Sequence, residues 1–303
     1  MDRIDDIALF LRVLDLGSIS AAARSLDLSV AVASQRLKRL EKQLGVRLLH
    51  RTTRTLHPTP EGLLLADQGR PLVEDLEALT DGLREGGAHV AGTLRVTMSS
   101  TFGRMYISPL LPEFLARHPA VRLSVDLDDQ TVDLVGAGLD LAIRIGELDD
   151  SSLVARQLAT NRRVLCASPD YLHRHGMPST PGELEHHQCL LLSGGHGRQD
   201  TWRMRDRRGR EVAVRVQGRI ESNQGDLLRD AAVAGLGIAR HSAWHVSEDL
   251  RAGRLQVVLP GYRFSDTGIH AVMPQRRLVP PRVRAFVEFL AERLGGTPPW
   301  ERD

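Results

Sequence analysis

Apolar positions near the start of the chain recur every three or four residues, in runs separated by turn residues. Ile4, Ile7, Ala8, Leu11 and Leu14 predict a helix from Asp2 to Leu16 that Gly17 stops. Ser18 or Ser20 caps a short helix over residues 21–26, where Ala21, Ala22 and Ala23 let another helix approach closely. Asp27 and Leu28 form a tight turn, and Ser29 caps a third helix, Val30 to Leu44, closed by Gly45. On that helix Ala33, Leu37, Leu40 and Leu44 form an apolar face, with Ala31, Ser34, Gln35, Lys38 and Lys42 opposite. Residues 46–56 then alternate around a polar, basic tip and read as a two-stranded wing.

Farther on, Thr59, Pro60 and Glu61 carry the signals of a helix start: a cap, a proline at the first helical position and an acid. Leu65, Leu72, Leu76, Leu79 and Leu83 follow a seven-residue repeat, the pattern of a helix-pairing seam, although packing on the chain's own body gives the same period. Pro71 interrupts this helix at a cost of about 3 kcal/mol, and Gly69 beside it favours a bend. Gly86 and Gly87 end the helix and supply a hinge.

From Gly92 the pattern becomes mixed. Leu94, Val96 and Met98 alternate as a strand. A helix over 106–117, a strand over 121–127, a helix over 132–137 and a strand over 139–143 follow. A second block opens at Arg163 with Val164, Leu165, Cys166 and Ala167 and runs to about Gly261. A last strand, 269–273, and a helix, 282–294, return to the first block. This alternation predicts α/β subdomains with a largely parallel sheet and a cleft between them, a usual place for a ligand.

Composition narrows the function. The 303 residues suggest two or three compact units, and 42% hydrophobic content gives them cores. No run approaches the ~20 apolar residues of a membrane span. The acidic start, with Asp2, Asp5 and Asp6, argues against a secretory signal, so a cytoplasmic protein without a membrane partner is expected. Cys166 and Cys189 form no close pair, which points to buried, reduced thiols. Net charge is only +2, yet residues 20–60 carry Arg24, Arg36, Lys38, Arg39, Lys42, Arg47, Arg51 and Arg54 against Asp27 and Glu41. That imbalance is an electrostatic footprint for phosphate. Gln35 suits paired hydrogen bonds to adenine, while Ser34, Arg36, Lys38 and Arg39 suit phosphates or base edges. Arg51 and Arg54 at the wing tip reach the backbone or minor groove. Short helices, tight turn, two-faced helix and basic wing together read as a winged helix-turn-helix, with the helix-turn-helix over about residues 19–38.

The stretch SISAAARSLDLSVAVASQRLKRLEKQLGVRLLHRTTRTLHPTPEG resembles the LysR-type transcriptional regulators. Its AA-x-x-L, LE-x-x-LG-x-x-L and R-(T/S)-x-R-x-x-x-x-T-x-x-G patterns run without a gap from Ala22 to Gly62. Leu49 stands where the family usually has Phe, and Ala31 where Ser is common. SPLLPEFLARHPAVRLSVDL, VDLVGAGLDLAIRIGELDDSSLVARQL and DLLRDAAVAGLGIAR are similar to the effector domain of the same family. The resemblance implies an all-α winged helix-turn-helix domain joined to an α/β effector domain of periplasmic-binding-protein type with two subdomains. The boundaries expected are 1–60, a linker and dimerisation helix over 61–89, and an effector domain over 90–303. Its subdomains would be 90–162 with 266–303, and 163–265. Ser29, Val30, Ala31, Ser34, Gln35, Arg36, Lys38, Arg39, Arg51, Thr52 and Arg54 are the expected contacts to double-stranded DNA, at a promoter site with dyad symmetry. The leucine repeat would join a homodimer or homotetramer, with RNA polymerase as a further partner. An organic anion is the expected effector class. Its contacts would be Ser99, Ser100 and Thr101 with the next helix N-terminus, Arg144 and Gly146, and Asn223 and Gln224, with Trp202 and His241 weaker candidates. Helix capping explains any one of these equally well.

Catalytic signals are weak. Both lysines, Lys38 and Lys42, lack the glycine-rich loop of a phosphate-binding motif. Gly235 and Gly237 are a fragment of a dinucleotide fingerprint, and no nucleophile elbow appears. His241 and His245 are spaced for a metal, but no acid nearby in sequence completes a set. The expectation is a regulator without cofactor or metal. The rival reading is a helix-turn-helix head carrying an enzyme or a non-regulatory solute-binding module.

Overall fold

A computed structural model of the protein describes residues 2–51, 56–84, 90–130, 132–148, 153–194, 197–198, 200–274 and 279–302. The N-terminal region contains α1 (Asp2–Leu16), α2 (Ile19–Ser25), α3 (Val30–Leu44), β1 (Leu49–Arg51), β2 (Leu56–Pro58) and α4 (Pro60–Arg84). Ser18 Oγ accepts from the Ala21 amide at 3.3 Å and Ser29 Oγ from the Val32 amide at 3.2 Å, so each capping serine satisfies an orphan donor. Asp27, with φ of 52°, turns the chain between α2 and α3, and Gly45, with φ of 73°, ends α3. Leu9, Phe10, Val13, Ala22, Ala23, Ala33, Leu37 and Leu40 form the fully buried centre. Ile4 and Leu44, expected inside, are 41% and 37% exposed. The buried stripe of α1 is instead centred on Asp6, Phe10 and Val13. Asp6 sits inside because Arg39 gives it a two-pronged partner, Nε and Nη2 donating to its two carboxylate oxygens at 2.9 Å each.

The sequence motifs have direct physical reasons. Glu41 accepts the amides of Leu48 at 2.9 Å and Leu49 at 3.2 Å, tying α3 to the wing. Thr59 donates to the Arg47 carbonyl at 2.6 Å and accepts from the Gly62 amide at 3.0 Å, opening α4. A side chain on Gly62 would place its Cβ 2.2 Å from the Leu48 carbonyl oxygen, so only glycine fits. β1 and β2 pair antiparallel, Leu49 opposite Pro58. α4 runs through Pro71 as one helix, and its early residues Leu65, Ala66 and Val73 pack into the N-terminal core.

The C-terminal region opens with β3 (Gly92–Met98) and a helical stretch in which α5 (Ser100–Phe102) leads through a π turn and a 3-10 turn into α6 (Leu111–Arg117). The predicted helix over 106–117 therefore begins at Ser100. There follow β4 (Val121–Leu127), β5 (Leu141–Gly146), β6 (Leu153–Asn161), β7 (Arg163–Ala167), α7 (Pro169–His175) and β8 (Cys189–Gly194). Next come β9 (Gly197–Arg198), β10 (Thr201–Arg205), β11 (Glu211–Arg215), β12 (Glu221–Ser222), α8 (Gly225–Val233) and β13 (Ile238–Ser242). α9 (Ala243–Arg251), β14 (Gln256–Val258), β15 (Thr267–Pro274) and α10 (Pro281–Leu294) complete the chain. One sheet has the order β4-β3-β5-β15-β6 and another β12-β8-β13-β7-β14. Chain order passes from the first sheet to the second between β6 and β7 and returns between β14 and β15.

Two expectations are corrected. The sheets are mixed rather than largely parallel: β3 pairs β5 and β13 pairs β8 in parallel, but β15 runs antiparallel to β5 and β6, and β7 antiparallel to β13 and β14. Returning strands, not helical crossovers, supply those pairs. The stretch 132–137, expected as a helix, instead forms turns over 134–138, with the Asp133 carboxylate accepting the Val135 amide at 3.0 Å and only a single α-helix-type bond, from the Ala137 amide to the Asp133 carbonyl.

Candidate nucleic-acid interface and ligand cleft

Helix α3 divides as its sequence predicts. Ala33, Leu37 and Leu40 are buried, while Ser29, Val30, Ala31, Gln35 and Lys38 are exposed and Ser34 and Arg36 half-exposed. Ser29 at the cap leaves the first turn bare, and the small Ala31 beside exposed Val30 and Val32 allows close approach to a flat surface. Lys38 and Lys42 extend from the same exposed side. Arg39 is a correction: its guanidinium turns to buried Asp6 and braces α3 against α1. Arg36 also approaches Asp6, at 3.9 Å. Arg51 ends β1, and the tip residues Thr52 and Arg54 lie outside the described residues, as does the Arg51 side chain.

The leucine repeat of α4 divides in two. Leu65 packs against the N-terminal core, where the Cδ1 of Leu65 and Cγ2 of Ile7 flank the position of Gly69, so it is no part of an outward seam. Leu72 is 68% exposed and Leu76 half-buried. The side chains of Leu79 and Leu83 are outside the description.

In the C-terminal region a cleft of about 650 Å³ is lined from both sheets. Ser99 and Thr101 reach it from the end of β3, Arg144 from β5, Asn223 from before α8 and His241 from β13. Other expected contacts do not line it. Ser100 donates to the Leu127 carbonyl at 3.2 Å and its amide to Asp129, because the helical stretch turns its hydroxyl toward β4. Gly146 lies on a separate groove with Gln157, Thr160 and His270. Gln224 is exposed just before α8. Trp202, 1% exposed, is a core residue among Tyr171, Leu191 and Met204.

Residues distant in sequence complete the cleft. Asp226 accepts from Thr101 Oγ1 at 2.7 Å and pairs with His245 Nε2 at 2.9 Å. This network depresses the Asp226 carboxyl against its own desolvation. Thr101 thus joins the β3 end of one sheet to α8 beside the other. Next to it Phe102, Tyr106, Trp244 and Trp300 stack edge to face, and Tyr106 donates to the Trp244 carbonyl at 2.7 Å. His241, 5% exposed, packs edge-on to His245 at 4.9 Å, and burial drives its pKa down to about 3, so it is neutral. Its Nε2 has no hydrogen-bond partner among the described residues. An acid therefore does reach this histidine pair, from elsewhere in the chain. Among the described residues no cluster of three or more His, Cys, Asp and Glu forms a metal site.

Arg163 and Arg240 also line the cleft and escaped sequence reasoning. The available signal was charge inside strands whose neighbours are buried, as in Ile238, Ala239 and His241 around Arg240. Burial lowers the pKa of Arg144, Arg163 and Arg240, the last to about 10 with Arg163 adding repulsion. Cys166 and Cys189 are buried, and desolvation raises both thiols to about 12, which keeps them protonated. No helix among the described residues is long and apolar enough to cross a membrane.

Each of the two regions resembles known proteins. Residues 4–63 match the bacterial regulatory helix-turn-helix protein, lysR family, and residues 87–295 the LysR substrate binding domain. An uncharacterized HTH-type transcriptional regulator of Haemophilus influenzae is 36% identical over 93% of this chain and 98% of its own length. The HTH-type transcriptional regulator DmlR of Escherichia coli is 36% identical over 95% of this chain and 94% of its own. The structure of CrgA, a LysR-type transcriptional regulator from Neisseria meningitidis, superposes with a TM-score of 0.61 at 32% identity, covering 96% of this chain and 99% of that one.

Proposed function

The chain belongs to the LysR family of transcriptional regulators, whose members bind DNA and small-molecule effectors and form oligomers, and from that premise we propose how its own residues divide the work. Residues 1–60 read a promoter site with dyad symmetry, 61–89 pair two copies, and 90–303 sense the effector. Within the reading head, α3 enters the major groove with Gln35 on a base edge and Ser34, Arg36 and Lys38 on phosphates, while Arg51, Thr52 and Arg54 follow the adjoining backbone. The observation that carries this is the serine-capped, exposed face of α3 from Val30 to Lys42, backed by a buried face that fixes its orientation.

The C-terminal cleft holds an organic anion through Ser99, Thr101, Arg144, Asn223 and His241. Binding there changes the balance between two arrangements of the oligomer, which requires unequal affinity for the two. The domain acts as a sensor and not as a catalyst. The protein works in the cytoplasm as a dimer or tetramer and hands its signal to RNA polymerase.

The test selects genomic fragments with the wild-type chain and footprints them. Protection with dyad symmetry is expected. Lys38→Ala should weaken binding to every fragment and lower the slope of log affinity against log salt by about one. Absence of a selected sequence, or a footprint without dyad symmetry, contradicts the reading.

A further inference from the structure

The hairpin of β10 and β11 concentrates positive charge. Residues 200–219 carry seven arginines against Asp200, Asp206 and Glu211, in a chain whose net charge is only +2. The antiparallel register sets Trp202 opposite Val214 and Met204 opposite Val212, and Trp202, Met204 and Val214 are buried. Side chains alternate along a strand, so Arg203 and Arg205 of β10 and Arg215 of β11 stand together on the outer, exposed face. Arg263 widens that face. The Arg205 amide donates to its carbonyl at 2.7 Å, and its own amide donates to the Arg205 carbonyl at 2.9 Å. Tyr262 and Phe264 on either side of it pack against the core beneath, which leaves Arg263 outward beside Arg205.

The tip of the hairpin is braced. Asp206 Oδ1 accepts the amides of Arg208 at 2.8 Å and Arg210 at 2.9 Å, and its Oδ2 accepts from Arg210 Nε at 2.8 Å. Gly209, with φ of 79°, completes the turn. Asp206 is thus occupied in holding the backbone. Arg207 and Arg208 lie in this turn, exposed, and their side chains make no hydrogen bond or ion pair among the described residues; the same is true of Arg263. The other arginines share few acids. Glu211 serves both Arg203 at 3.5 Å and Arg205 at 3.9 Å, and Asp200 stands 3.6 Å from Arg215. Exposed pairs of this kind contribute only about 0–1 kcal/mol and give way to a stronger counter-charge.

The face lacks the anchors of a protein interface, which is built around buried aromatic or apolar side chains. Among the described residues no large hydrophobic side chain between Met177 and Leu227 is exposed. Guanidinium groups on a stiff ribbon suit a line of phosphates instead. Alternate side chains on one strand are about 7 Å apart and neighbouring strands about 4.8 Å apart. Duplex DNA carries a charge about every 1.7 Å of its axis, so several such groups meet phosphates at once. Each planar guanidinium also matches a phosphate with two parallel bonds. The family binds DNA, so a duplex is the polyanion this chain already meets.

We propose that the outer face and tip of this hairpin are a second DNA-contacting surface, which holds the phosphate backbone of a duplex without regard to sequence while the helix-turn-helix selects the site. The hairpin lies within the region matched to the substrate binding domain, far along the chain from the reading head. The proposal depends neither on the cleft nor on the placement of α3.

The test titrates the full-length chain against the selected site and against a long random-sequence duplex over a range of salt. Arg207→Gln with Arg208→Gln should lower the slope of log affinity against log salt by between about one and two on both duplexes. The preference for the selected site over the random duplex should not change. Arg207→Lys with Arg208→Lys keeps the charge and should keep most of the slope. Arg156→Gln with Arg284→Gln removes the same charge from exposed positions on β6 and α10 and should leave the slope as in wild type. A wild-type slope in the hairpin glutamine pair overturns the proposal. So does an equal fall in the β6 and α10 pair, which would make the effect one of net charge, or an equal fall in the lysine pair, which would make it one of structure. A wild-type slope joined to loss of activation by RNA polymerase in vitro would give the surface to an acidic protein and overturn the DNA contact.

Discussion

Arg39 sits beside the exposed face of α3, yet its guanidinium is engaged by Asp6, which is fully buried. Removing the arginine strands a buried carboxylate. Arg39→Met should therefore cost about 2 kcal/mol in urea unfolding, below the roughly 3–5 kcal/mol of a fully buried pair because the arginine side is partly wetted and Arg36 stands near. Full stability in the variant would show that the pair contributes nothing. His241 gives a pH dependence of known sign. Burial, then His245 and Arg229, hold its folded pKa at about 3, with Asp226 and Asp249 pulling the other way, while the unfolded value is near 6.5. The unfolded chain takes up the proton first, so this residue costs nothing above about pH 6.5. Below that it lowers stability progressively, by at most about 1.4 kcal/mol per pH unit, until the folded value is passed. His187, His245 and His270 are also depressed and add the same sign. His241→Leu should make the fall in urea midpoint between pH 6.5 and 5 shallower than in wild type; an equal fall contradicts the assignment. Sequence made Ser29, Thr59 and Gly62 legible because their partners lie within a turn or one wing. It could not give Asp6 to Arg39 or Asp226 to Thr101, whose partners are 33 and 125 positions away.

Among the elements, α4 meets two environments on one periodicity. Its early turns pack on α1 through Leu65 and Val73, while Leu72 stands 68% exposed. A heptad count does not separate these, because the period is the same whether a leucine meets its own domain or a second copy. Exposure does separate them. Leu72→Glu should leave the single chain folded, since the side chain already meets water, but place a charge in a paired apolar interface. Sedimentation should show a smaller assembly for Leu72→Glu than for wild type. Leu65→Ala should lower unfolding stability by about 1–2 kcal/mol without changing the assembly. An unchanged assembly in Leu72→Glu would mean that other surfaces hold the copies together. The helices of the reading head were legible nearly residue by residue, because serine caps and glycine stops mark both ends. The strands were located, but their directions were not. β15 returns antiparallel between β5 and β6, a choice made by long-range topology and invisible in local alternation.

Across the whole molecule the sequence divides into a head that presents one helix face and a sensing region that encloses a cleft. The head was readable from motif because its chemistry is contiguous. The cleft was only partly readable, because it is assembled from strand ends on two sheets. Ser99, Thr101, Arg144 and Asn223 were read as residues at such ends and His241 as a weaker candidate, whereas Arg163 and Arg240 sit in strands with no motif around them. The central claim is that α3 reads DNA through the face around Gln35. It is tested most directly by titrating wild type and Gln35→Ala against the selected site and against duplexes carrying each single base-pair change in one half-site. Gln35→Ala should lose about 1–3 kcal/mol on the native site and lose its preference at one base pair per half-site, with the salt dependence unchanged. An unchanged affinity and an unchanged preference at every position would contradict the placement of α3 in the groove.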